Sequence, residues 1–305
     1  MSASWSEFAG GDPRRPGVIM RLLVGTLLLL QPSDAFIRAF LRPTPAPIKT
    51  IILDADGTTL NPAHEMTPAV AASISEARAA GLQVMIATGR ARAGPWVEDI
   101  LEPNTLVTPG VFLQGLVAYD KTGVKVVDEV LAPSAIAIVE SVCSDDASVT
   151  VCAYTRDDDP TTTASHRLIT PCLDDRCARY NTYDDAQCEV PWDEEDEASS
   201  SVTADEDRQQ PWKVRAAVRA AVEPRGGDVS TAVSKLLVLC SSREAVPAMR
   251  EKLERALRRR PARVVQALDW TLEILPRGTS KGAAVRTLLR ALEVDAASVM
   301  ALGDG

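Results

Sequence analysis

The sequence predicts an α/β fold built on a parallel sheet, with an α+β insertion in its middle. Three observations carry that prediction. Ile48–Leu53 and Leu82–Ala87 are short apolar runs flanking a helix-favouring stretch, the pattern of one βαβ unit. Polar clusters follow both runs directly: Asp54-Ala55-Asp56-Gly57-Thr58 after the first and Thr88-Gly89-Arg90 after the second. Open α/β sheets take their ligands at those C-terminal strand ends. Finally, the chain returns near its end to an apolar run, Val299–Leu302, suited to the same sheet.

Ile48–Leu53 is mostly β-branched and stops abruptly at Asp54. Thr67-Pro68 offers an N-cap and a first-turn proline, Ala69–Ala80 favours helix, and Gly81 closes it. Crossover handedness then makes the two flanking strands parallel. A helix is predicted from near Pro95, then strands through Val107, Val117 and Val126, with Asp120-Lys121-Thr122-Gly123 as a hairpin turn. Ala132–Cys143 reads as helix, and Val149–Tyr154 and Ser234–Cys240 read as strands. Ser241 and Glu244 have capping-box spacing, predicting a helix to about Arg260 whose last turn carries Arg258, Arg259 and Arg260. Val264–Ala267 and Leu272–Leu275 complete the insertion as strands, with a turn near Asp269.

Composition excludes several classes. With 46% hydrophobic and 25% charged residues in 305, the chain is neither collagen-like, wholly disordered nor a disulfide scaffold. The length suggests about two domains. Only 13 residues are aromatic, so the core must rest on Ala, Val, Leu and Ile. The net charge of −9 is local: Asp184–Asp207 holds eleven acids and no base, leaving 31 acids against 33 bases elsewhere. Without a broad basic face or a GxGxxG fingerprint, nucleic acid is not an expected partner. Cys143, Cys152, Cys172, Cys177, Cys188 and Cys240 form no CxxC pair and have no histidine at zinc spacing; His64 and His166 lie far apart. They read as buried or loop thiols, with no zinc site or disulfide framework legible.

The N-terminus reads as an address. Leu22–Leu30 is a nine-residue apolar run behind Arg14, Arg15 and Arg21. As a helix it rises only about 14 Å, far short of a bilayer core. It matches a signal-peptide core, and Ser33-Asp34-Ala35 supplies small residues at the cleavage positions. Phe36–Lys49 then carries Arg38, Arg42 and Lys49 without an acid. This resembles the bipartite plastid presequences of algae with secondary plastids. A plain secretory signal is the alternative, and a misread gene start would leave the protein cytoplasmic. Residues 1–46 are set aside as a targeting presequence, and the mature protein is expected not to span a membrane.

The chemistry concentrates in Asp54 and Asp56. Carboxylates two residues apart at a strand end point to one side while Ala55 points away. Gly57 permits a sharp turn and Thr58 supplies a hydroxyl donor. Such a pair suits Mg2+, which takes oxygen ligands, and a phosphoryl group held in line.

Two further clusters follow Asp54-Ala55-Asp56-Gly57-Thr58 and Ala87-Thr88-Gly89-Arg90 in order: Gly278-Thr279-Ser280-Lys281-Gly282 and Gly303-Asp304-Gly305. With these four motifs the chain resembles the haloacid dehalogenase (HAD) phosphohydrolases, in particular the Cof-type branch with a large C2-type cap. The resemblance covers about residues 47 to 305 and is loosest between about 157 and 233. It implies a Rossmann-like parallel-sheet core (47–130 and 276–305) and an inserted α+β cap (131–275); within that cap the acidic run 184–207, low in apolar residues, is expected to be a disordered loop. It further implies a Mg2+-dependent phosphatase acting on a small phosphorylated metabolite such as a sugar phosphate, a flavin or pyridoxal phosphate. Asp54 matches the nucleophile that becomes an aspartyl-phosphate, and Asp56 the general acid–base. Thr88 matches the hydroxyl on the phosphoryl oxygens, and Lys281 the ammonium that neutralises charge on nucleophile and phosphoryl group. Asp54, Asp56 (through its carbonyl) and Asp304 match the metal ligands. Gly89 and Arg90 are expected near substrate, as are Gln114 and Gly115, which stand where Cof-type relatives carry Asn-Gly. For Asp56 to hold a proton beside Asp54, its pKa is expected to rise by like-charge coupling.

Relatives continue past the fourth motif with an Asn-Asp pair, a helix and further strands. A truncated gene model, weakly active or inert at this length, is therefore expected. The competing function is a non-catalytic HAD-like binding or regulatory protein.

Overall fold

The computed structural model describes residues 46–92, 109–156, 166–183, 186–190, 214–222 and 232–303. They form two six-stranded sheets. The first contains β1 (Thr50–Leu53), β2 (Gln83–Ala87), β3 (Gly110–Phe112), β4 (Val117–Tyr119), β5 (Lys125–Asp128) and β12 (Val299–Leu302), in the order β12-β1-β2-β3-β4-β5. β1 runs parallel to both β2 and β12, β2 is parallel to β3, and β3-β4-β5 is an antiparallel meander. Strand alternation divides the core between two helices. Leu53, Val84 and Ile86 face α1 (Pro68–Ala79) through Ile74 and Val70, whereas Ile52, Met85 and Ala87 face α6 (Lys281–Ala291) through Val285, Leu288 and Leu289. The Thr67 hydroxyl caps α1 by accepting from the Val70 amide at 3.4 Å, and Gly81 leaves the helix end with φ +85°. This parallel, helix-flanked sheet is the predicted α/β core.

The second sheet holds β6 (Val149–Arg156), β7 (His166–Ile169), β8 (Cys188–Glu189), β9 (Val233–Cys240), β10 (Ala262–Gln266) and β11 (Thr271–Pro276), in the order β10-β11-β9-β6-β7-β8. Every pairing is antiparallel except β7 with β8. Here too the period of two sorts the side chains. Val149, Val151 and Ala153 of β6 and Leu236, Val238 and Cys240 of β9 pack under α2 (Pro133–Cys143), α4 (Val214–Val222) and α5 (Val246–Ala256). Cys152, Tyr154, Leu237 and Leu239 lie on the opposite face, with Trp270 and with Cys177 and Tyr180 of α3 (Asp175–Tyr180). Ala91, Leu113 and Leu116 of the first sheet's loops join that same cluster, so this face of the second sheet packs toward the polar strand ends of the first.

Some expectations need correction. Ser241 and Glu244 do not cap a helix: α5 starts at Val246, after an uncapped Ala245, and ends at Ala256. Pro247 explains the start, because a proline ring fits the first helical turn but would clash in the interior of a helix begun at Ser242. Arg258–Arg260 therefore lie beyond the helix, ahead of Pro261, which disfavours helical backbone at the residue before it. Within the acidic stretch, Cys188 and Glu189 form β8 rather than a disordered loop, paired with Leu168 and Ile169. The presequence, the helix near Pro95, the strand at Val107, the rest of the acidic stretch and Asp304 lie outside the described residues. Among the described residues no helix is long and apolar enough to cross a membrane.

A buried histidine makes the fold pH-sensitive. His166 is fully enclosed, its Nε2 2.8 Å from the Ser234 hydroxyl. Burial, with Lys125, Arg156 and Lys235 nearby, pushes its pKa well below the usual imidazole range. The unfolded chain, with a histidine pKa of about 6.5, then binds a proton that the folded chain refuses. Stability from this group is complete above about pH 6.5 and falls below it, by up to about 1.4 kcal/mol per pH unit. Urea unfolding of His166→Gln between about pH 7.5 and 5.5 should show a shallower loss than the parent. An equal slope would contradict this assignment.

Candidate active site

Asp54 stands one residue past β1, and its amide donates to the Leu302 carbonyl at 2.9 Å, which carries the β1–β12 pairing forward. The loop then wraps a fully buried Ala55: the amides of Thr58, Thr59 and Leu60 donate to its carbonyl at 3.3, 2.9 and 2.8 Å. Gly57, at φ +72°, makes that wrap possible without strain. The Thr59 hydroxyl donates to the Asp54 carbonyl at 2.6 Å. With the backbone so tied, the Asp54 carboxylate is fixed: Oδ1 accepts from the Ala55 amide at 2.8 Å and Oδ2 from Lys281 Nζ at 2.6 Å. Both side chains are largely buried, at 11% and 12% exposure, so this is a charge pair held in a poorly hydrated setting. Lys281 opens α6, whose Ser280 N-cap accepts from the Ala283 amide at 3.1 Å.

Thr88 stands one residue past β2 and is fully buried. Its hydroxyl accepts from the Arg90 amide at 3.1 Å and its carbonyl from the Gln114 amide at 3.1 Å, while the Leu113 amide donates to the Arg90 carbonyl at 2.8 Å. The turn Leu113-Gln114-Gly115 is thereby laced to Thr88-Gly89-Arg90. The Gln114 side chain lies directly on Gly89, where a Cβ would stand 2.5 Å from its Nε2. Gly115 has φ +91°, and a Cβ there would meet the Ser280 carbonyl oxygen at 2.3 Å. Glycine thus lets this turn touch the backbone that delivers Lys281. Gly115→Ala combines a left-handed backbone with a backbone clash and is expected to lose at least about 2 kcal/mol in chemical denaturation. A loss within about 0.5 kcal/mol would contradict the close approach.

Asp56 departs from expectation. Its carboxylate, half-exposed, is clasped by Arg90: Nε lies 3.1 and 3.0 Å from the two oxygens and Nη2 2.7 Å from Oδ1. His64 joins them, with Nδ1 2.6 Å from Arg90 Nη2 and 3.5 Å from Asp56 Oδ1. Burial pushes the Asp56 pKa up, but Arg90's hydrogen bonds and charge, with His64, outweigh it and hold the carboxyl below its ordinary value. The anticipated rise is therefore wrong for this state of the protein. Each carboxylate has its own cation, Lys281 for Asp54 and Arg90 for Asp56, so their repulsion is already offset. Arg90, expected near substrate, grips Asp56 in this structure. His64 sits in the turn between Leu60 and Met66 at φ +62°, its ring 5.7 Å from that of Tyr183 beyond α3. Sequence reasoning missed His64 and Tyr183, since a lone histidine and a tyrosine in a poorly patterned stretch carry no spacing signal.

The structure thus gathers Asp54, Asp56, Thr88, Gly89, Arg90, Gln114, Gly115 and Lys281 at the strand ends. The Asp54 carboxylate and Asp56 carbonyl are hard oxygen donors of the kind Mg2+ takes.

The sequence profile of the haloacid dehalogenase-like hydrolases matches residues 51–305. The chain belongs to this family. Its HAD fold agrees with solved relatives. A putative HAD/COF-like hydrolase from Plasmodium vivax superposes with a TM-score of 0.59 at 15% identity, covering 88% of this chain and 81% of that one. A sugar phosphatase of HAD subclass IIB gives 0.57 at 14% identity, covering 84% and 81%. Among curated proteins, the chain is 27% identical over 273 residues to the chloroplastic endoribonuclease YBEY of Arabidopsis thaliana, covering 84% of this chain. The chain spans 38% and 32% of the lengths of two curated relatives it matches.

Proposed function

We propose that this HAD hydrolase is a Mg2+-dependent phosphatase of a small phosphorylated metabolite, a sugar phosphate, flavin or pyridoxal phosphate. The observation that carries this reading is the buried Asp54–Lys281 pair at 2.6 Å, beside Asp56 and Thr88 at the ends of adjacent parallel strands. An anionic nucleophile meeting an anionic phosphate needs fixed positive charge, and Lys281 supplies it.

In the reaction so proposed, an Asp54 oxygen forms a bond to phosphorus as the bond to the leaving oxygen breaks, and Asp56 gives that oxygen its proton. A water then attacks phosphorus, passes its proton to Asp56, and the Asp54–phosphorus ester is cleaved. Thr88 holds phosphoryl oxygens, and Lys281 stays on Asp54 and the moving charge. Mg2+, held by Asp54, the Asp56 carbonyl and Asp304, would add Lewis-acid neutralisation of the phosphate. Since Asp56 rests ionised on Arg90, its acid role requires that grip to open and the carboxylate to take a proton from solvent as substrate arrives. The second sheet, whose inner face shares one apolar cluster with Ala91, Leu113 and Leu116, serves as the cap that excludes water and selects substrate.

A panel of phosphomonoesters assayed for free phosphate with Mg2+ tests this. Turnover should disappear with EDTA and return with added Mg2+; turnover indifferent to chelation would refute the metal assignment. For destination, the basic acid-free leader supports the plastid, and so does the chloroplastic designation of the Arabidopsis relative.

A further inference from the structure

Sequence spacing gave no sign of a thiol site, yet folding assembles one. Cys152 of β6, Cys177 of α3 and Cys188 of β8 bring their sulfurs within 4.8 Å of one another, all three buried. They lie on the face of the second sheet that looks toward the first, at the end of it where β8 forms the edge. From the structure we infer that these three thiols are a binding site for one thiophilic d10 cation of the zinc, cadmium and copper(I) group.

Geometry favours an ion over the obvious alternative, a disulfide. A disulfide uses two sulfurs and strands the third in an apolar cluster, whereas a cation uses all three. Sulfurs around a three-thiolate ion at about 2.3 Å stand about 4 Å apart, and the three sulfurs already lie within 4.8 Å of one another. Soft thiolates select ions of this class over Mg2+ or Ca2+. Neighbouring backbone is also pinned: the Cys188 amide donates to Asn181 Oδ1 at 2.9 Å and the Cys177 amide to Asp174 Oδ1 at 3.0 Å. On binding, three sulfur–metal bonds form and the thiol protons pass to solvent.

The site has something to hold. β8 is two residues long and α3 six, too short to persist alone. One ion would tie both to β6. The turn after α3 carries Tyr183 to Trp270 at 6.2 Å and to His64 at 5.7 Å, so the same tie fixes the segment that meets His64, the neighbour of Asp56.

The test uses the full chain, reduced, freed of metal anaerobically, and kept in Mg2+ to occupy oxygen ligands. Cd2+ is the probe, read by thiolate-to-cadmium charge-transfer absorption, which oxygen sites do not give. Absorption should saturate at one equivalent, vanish in Cys188→Ser and persist in Cys172→Ser, a partly buried residue outside the trio. Alkylation with peptide mapping guards against a misfolded variant: in the parent chain, Cd2+ should protect Cys152, Cys177 and Cys188 together. Absence of the band, its survival in Cys188→Ser, or protection of a different set of cysteines would overturn the inference.

Discussion

Asp54→Asn is expected to lower phosphatase turnover by at least about a thousandfold. The amide keeps the shape of the side chain and can still accept from the Ala55 amide, so the loop around Ala55 should persist. What disappears is the anionic oxygen that bonds to phosphorus, together with the partner that orders Lys281 at 2.6 Å. Neither Asp56, which serves the leaving oxygen, nor Thr88, a neutral hydroxyl, supplies such an oxygen in its stead. Initial rates with saturating substrate measure this, and a urea unfolding curve shows that the variant is folded. A variant within tenfold of the parent rate would remove Asp54 from the nucleophile's role.

Lys281→Ala should be the next most damaging change, with a loss in kcat of about a hundredfold to a thousandfold. Its ammonium is the cation that the structure places on Asp54, and the largely buried pair leaves little water to screen the charge in its stead. Lys281→Arg should not restore the rate, because a planar guanidinium cannot occupy the point position of Nζ at the helix start. The effect belongs to kcat rather than KM if Lys281 acts on charge that develops during transfer. A pure KM effect would reassign Lys281 to substrate binding.

How much of this was legible from sequence depended on how local each cause is. The β1-α1-β2 unit was readable because its signals are contiguous: a β-branched run, a Thr-Pro helix start and a glycine stop each act within a few residues. The clustering of the candidate-site side chains was readable for a related reason, as residues at the ends of parallel strands fall together once the strands pair. The Arg90 grip on Asp56 was not, because it joins residues 34 apart through side-chain rotamers that no periodicity encodes. Nor was the thiol cluster, since Cys152, Cys177 and Cys188 meet only after β6, α3 and β8 pack on one face. The failed capping box at Ser241–Glu244 shows one local rule overruled by another, with Pro247 fixing where α5 can begin.

One measurement addresses the central claim most directly: mass spectrometry of peptides from enzyme acid-quenched during turnover of a phosphomonoester. Phosphate should be found on the peptide containing Asp54, removable by hydroxylamine and absent from Asp54→Asn. Phosphate on another residue, or steady turnover with no acyl-phosphate under any quench time, would contradict the account.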